Sequence, residues 1–134
     1  MTASIIYQGN LRCQSTHLQS GTVIESDAPT DNQGKGERFS PTDLTCVSLA
    51  NCMITTMAIK AKGMEVDLMR TTIEVTKHMV AEPRRIGSID LVFKYNSDVK
   101  PSLKDREYLE SVGNNCPVAK SLHPDIEVKA IYQW

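Results

Sequence analysis

Residues 40–63 read SPTDLTCVSLANCMITTMAIKAKG, and the fold turns on this stretch. Ser40 suits an N-cap, Pro41 the first helical position, and Asp43 completes an S-x-x-D capping pattern. Lys60 and Lys62 favour the negative end of the helix dipole, and Gly63 can close the C-terminus. A continuous helix from Ser40 to Lys62 spans about 34 Å, roughly the width of a small domain. Its middle is apolar nearly all round, at Val47, Leu49, Ala50, Met53, Ile54, Met57 and Ala58. Ser48, Asn51 and Thr55 leave a narrow polar stripe with Cys52 beside it. A helix of this kind is expected to be buried on most sides. A chain of 134 residues has little with which to cover it, so an obligate homodimer is expected to supply the rest.

Upstream, IIYQGNLRCQSTHL, a QSG turn and TVIESDAP form a predicted N-terminal β-hairpin, followed by a Gly- and Asp-rich loop, DAPTDNQGKGERF. Downstream, TTIEVTKHMV and IGSIDLVFKY alternate apolar and polar residues around an EPRR turn, the pattern of an antiparallel hairpin with one buried face. PSLKDREYLESVG reads as an amphipathic helix with Leu103, Leu109 and Val112 inward. CPVAKSLHP is a short helical piece and DIEVKAIYQW a closing strand. Strands on both sides of a central helix, without a βαβ rhythm, indicate an α+β fold. Residues 1–134 are expected to form a single domain.

Apolar residues make up 40% of the chain and charged residues 23%, and the formal net charge is −1. Neither nucleic acid nor a membrane surface is an expected partner on that charge. No run of about 18 apolar residues marks a membrane span. MTASIIYQGNLRC lacks the basic and apolar regions of a secretory signal, so the expected location is cytoplasmic. There, Cys13, Cys46, Cys52 and Cys116 are expected to be free or catalytic rather than structural disulfides. Their spacing, and that of His17, His78 and His123, argues against zinc.

A thiol reacts as thiolate, so its surroundings decide its chemistry. Cys116 precedes Pro117 at a predicted helix start, where the dipole and free N–H groups favour thiolate. Cys52 is mid-helix and lacks that device. Local physics therefore selects Cys116 as the more acidic thiol. Cys13 and Cys46 are expected to be structural, and His123 to end the short helix.

The ordered set LRC-x-STH, GKGERFSPTDL, LANCMITTMAIKAKG, PRRI and CPVAKSLHPDIEV resembles the OsmC/Ohr family, the osmotically inducible and organic-hydroperoxide-resistance proteins. The likeness runs across almost the entire chain. It implies an intertwined homodimer and a thiol peroxidase in which Cys52 attacks an organic hydroperoxide and Cys116 resolves the sulfenic acid as a disulfide. A dithiol reductant, small or protein-bound of lipoyl type, restores both thiols, and no metal or other cofactor is implied. Leu49, Met53 and Met57 are candidate pocket walls, with ordinary core as the alternative. Many family members place glutamate after the helix-starting proline; here Thr42 stands there and Asp43 follows. Glu37 and Asp43 are both candidate acids, and Arg12 and Arg38 both candidate arginines, with Arg12 favoured by its place in the LRC motif. The missing post-proline acid leaves room for a second reading, a dimeric binding or redox-sensing protein of the same fold.

Overall fold

The computed structural model describes residues 1–134. They form two compact units, Met1–Thr45 and Cys46–Trp134.

The first unit is a three-stranded antiparallel meander, β1 (Ala3–Gly9), β2 (Arg12–His17) and β3 (Val23–Asp27), in that order. The sequence suggests one hairpin; the chain makes two. The additional turn is Asn10-Leu11, with both residues at positive φ (51° and 61°), as the tightest hairpin loops require. Gly9 before it is also at positive φ, and the ladder is irregular between Tyr7 and Gly9. β1 leaves Ile5, Ile6 and Tyr7 each 62% exposed.

Helix α1 (Pro41–Lys60) begins at the end of this unit and continues into the second. Its start is a reciprocal cap. The Asp43 N–H donates to Ser40 Oγ (3.1 Å), and the Ser40 N–H donates to Asp43 Oδ2 (2.8 Å). The buried positions are Cys46, Leu49, Ala50, Met53 and Met57, spaced as one face of a helix. Within one chain, only that face is covered. Ser48, Asn51, Thr55, Ala58 and Ile59 stay exposed, because one sheet covers only one face. By length and hydropathy α1 could cross a membrane, but its apolar stripe is the core of the second unit.

That core packs against β5. β4 (Thr72–Val80) and β5 (Arg85–Lys94) form the expected antiparallel hairpin. Between Ile86 and Ile89 a bulge shifts the alternation, so both side chains are buried together with Leu91 and Phe93. Gly87 sits in the bulge, where an added Cβ would lie 2.5 Å from Val80 Cγ1. The closing strand β6 (Glu127–Gln133) pairs with β5 in parallel. The expected absence of βαβ character fails here: α2 (Leu103–Asn114) and α3 (Pro117–Ser121) form the crossover that a parallel pair needs. The fold nevertheless remains α+β, with two separate three-stranded sheets.

Leu109 and Gly113 are the buried residues of α2, whereas Leu103 is 70% exposed, against expectation. Leu103 is the first residue of its helix, before the buried face begins. A Cβ on Gly113 would come within 3.0 Å of Met57 Sδ, so glycine lets α2 approach α1 closely. Parallel pairing sets Phe93 beside Tyr132, with ring centroids 4.8 Å apart, and Tyr95 stacks on Trp134 at 3.8 Å. Burial pushes the Tyr95 and Tyr132 hydroxyls well above their ordinary titration range.

Candidate functional site

In the second unit the fold brings together two thiols 64 positions apart in the chain, Cys52 of α1 and Cys116 at the N-cap of α3. Cys116 is fully buried and Cys52 half-buried; both are unpaired. The two thiols lie in one core, close enough to bear on each other's ionisation. The Val118 backbone N–H, in the first turn of α3, favours the charged form of Cys52. Thr56 Oγ1, one turn along α1, lies 3.9 Å from the Cys52 sulfur.

These contacts reverse the local expectation about acidity. Burial acts against ionisation of Cys52, but the Val118 N–H, the Cys116 thiol and the Thr56 hydroxyl together pull its pKa below the ordinary thiol value. Burial pushes Cys116 up, and the neighbouring Cys52 holds the proton on it. The Ala119 N–H still caps Cys116 Sγ at 3.5 Å, as a helix start should. The Ala119 and Val118 N–H groups together do not offset complete burial. The arrangement therefore favours a Cys52 thiolate facing a Cys116 thiol.

In the first unit the charged candidates sort themselves by partner. Arg12 meets Asp27 directly across the β2–β3 ladder and grips it with two hydrogen bonds, Nε to Oδ1 at 2.7 Å and Nη2 to Oδ2 at 2.8 Å. Nη2 also donates to Glu37 Oε2 at 2.9 Å. Asp27 is 2% exposed. Its hydrogen bonds to Arg12 hold its carboxyl below the usual range, against the opposing effect of burial. The same bonds hold the Arg12 guanidinium above its ordinary value. Arg38 instead pairs with Glu25 at 2.9 Å and donates to the Glu37 carbonyl. Asp43 is engaged in the helix cap.

Among the other candidates, Leu49, Met53 and Met57 are fully buried core residues. Cys46 is buried in the same core, and Cys13 is half-buried on β2. His123 accepts from the Asp125 N–H at the end of α3, as expected. No sequence motif marks Asp27. Its signal is positional: once β2 and β3 are paired, Asp27 is the register partner of Arg12. The Val118 amide leaves no mark in the sequence because every residue but proline carries one.

Comparison with known proteins gives the frame for this geometry. The model of the OsmC-like protein family matches residues 34–130. The chain belongs to the OsmC-like family. It is similar over 99% of its length to a proposed osmotic stress induced and detoxification response protein of Psychrobacter arcticus 273-4. Identity is 48%, coverage of that chain 96%, and the TM-score 0.93. An OsmC-like protein of unknown function from Vibrio cholerae O1 biovar eltor shares the fold at 13% identity, with TM-score 0.77 over 96% of this chain and 97% of that one. So does an organic hydroperoxide resistance protein OsmC from Legionella pneumophila, at 16% identity and TM-score 0.68, over 98% and 95%. No curated protein matches the sequence. The OsmC-like fold thus accounts for both sheets and for the long helix that carries Cys52.

Proposed function

We propose that this OsmC-like protein is a thiol peroxidase that reduces organic hydroperoxides. The observation that carries the reading is the meeting of two free thiols, Cys52 of α1 and the buried Cys116 at the cap of α3, in one core. The Cys52 thiolate attacks one oxygen of the O–O bond, which breaks; the alkoxide leaves and takes a proton, and Cys52 becomes sulfenic acid. The Cys116 thiol then displaces hydroxide from that sulfur, forming the Cys52–Cys116 disulfide and water. A dithiol reduces the disulfide by exchange and is itself oxidised to a cyclic disulfide. Of the two candidate arginines, Arg12, gripped by Asp27 and Glu37, is preferred to Arg38. The proposed assembly is a homodimer in which a second copy covers the exposed Ile5, Ile6, Tyr7 and Ile59. Four unpaired cysteines suit a reducing, cytoplasmic setting.

The test is consumption of an organic hydroperoxide with a dithiol by wild type, Cys52→Ser and Cys116→Ser. Repeated turnover in wild type, lost in Cys52→Ser, with sulfenic acid trapped at Cys52 in Cys116→Ser, is the expected result. A single stoichiometric oxidation without recovery would replace this reading with that of a redox sensor.

A further inference from the structure

Among the threonines of α1, Thr42 meets Ser40 Oγ at 3.1 Å in the cap, and the other three use their hydroxyls in two ways. Thr45 and Thr55 donate to the backbone carbonyl one turn back, Pro41 O at 3.1 Å and Asn51 O at 2.7 Å. This is the ordinary resting place of a helical threonine. Thr55 also donates to Cys52 O at 3.2 Å, the carbonyl that Thr56 would otherwise use. Thr56 instead sets its hydroxyl 3.9 Å from Cys52 Sγ, in a contact where either atom can donate. We propose that Thr56 is a positioning residue for Cys52, its hydroxyl holding the sulfur from within α1 while the Val118 amide holds it from α3.

Three observations support this. Position i+4 places Thr56 on the same helical face as Cys52, so no rearrangement is needed for the contact. The sulfur is half-buried, where a hydroxyl dipole is screened less than in open water. A thiolate accepts a hydrogen bond far better than a thiol, so the contact favours the charged form selectively. The two donors also approach from different elements. The consequence for turnover rests on the peroxidase reading; the effect on Cys52 itself does not.

The experiment is the rate of Cys52 alkylation by iodoacetamide as a function of pH, read by peptide mass spectrometry on the reduced full chain. Thr56→Val removes the hydroxyl at nearly constant shape and similar helix propensity. It is expected to slow alkylation about threefold at neutral pH, the weight of one modest hydrogen bond, and to move the pH midpoint upward. Thr56→Ser is expected to retain wild-type behaviour. Thr55→Val, which removes the neighbouring hydroxyl, is expected to change nothing. An unchanged midpoint in Thr56→Val, or an equal shift in Thr55→Val, would overturn the proposal; Thr56→Ala gives the same test should valine disturb packing. The two readings fail separately. Loss of turnover in wild type with the Thr56 effect intact sinks only the peroxidase, whereas normal turnover with an unchanged Thr56→Val midpoint sinks only Thr56.

Discussion

The two units hold their candidate groups by opposite physics. In Met1–Thr45, Arg12 is fixed by charge: two carboxylates, one of them buried, on a sheet with much of its apolar surface exposed. In Cys46–Trp134, Cys52 is fixed by packing and by uncharged donors, beside a core that excludes water from Cys116 altogether. The clamp depends on a strand register, a local matter of two turns. The thiol pair depends on how a helix, a sheet and a crossover pack together. The difference teaches that a guanidinium needs oriented partners, whereas a thiol needs a tuned degree of burial. Too much burial raises its pKa, as Cys116 shows; partial burial with three donors lowers it, as Cys52 shows.

The largest expected effect tests the packing side of this contrast. Phe93→Ala, at the centre of the second core, is expected to cost about 3–5 kcal/mol in denaturant unfolding. Leu103→Ala, on the exposed start of α2, is expected to stay within about 0.5 kcal/mol. Comparable losses for both would mean that α2 is seated differently.

Next comes the charged side. Asp27→Asn is expected to lower the thermal midpoint at neutral pH more than Glu37→Gln, because it leaves Arg12 without its two-pronged partner. Asp27 titrates lower folded than unfolded. Its contribution is therefore full at neutral pH and fades as pH falls through the lowered folded value. The gap between Asp27→Asn and wild type should narrow on acidification. A gap that widened would contradict the clamp.

The smallest effect concerns the thiol pair. Cys116→Ala removes a donor to the Cys52 thiolate, so the charged form loses support and the Cys52 pKa rises. Alkylation of Cys52 is expected to slow by about threefold to tenfold at neutral pH. Faster alkylation would show that access, not acidity, limits the reaction.

Much of this could be read in the chain. Ser40, Pro41 and Asp43 announce the start of α1, and they cap it as their chemistry dictates. The alternation in β4 and β5 marks their buried faces, except at Gly87, where a bulge moves Ile86 inward. The turn at Asn10-Leu11 was harder to see, since leucine at positive φ is a poor turn residue and is tolerated only because the strands on either side pair. A single chain covers one face of α1. An all-round apolar pattern records every surface a helix will meet, in one chain or several.

The sequence by itself determined most of the elements, the family likeness and the two cysteines worth watching, because capping, periodicity and motif spacing are local properties of the chain. Only the tertiary structure decided that β6 runs parallel to β5, that Asp27 is the partner of Arg12, and that Cys52 rather than Cys116 is the more acidic thiol. Thiol acidity is a sum of burial against hydrogen bonds from residues distant in sequence. The donors that tip it, a backbone amide in α3 and a thiol at its cap, meet Cys52 only when the crossover folds back.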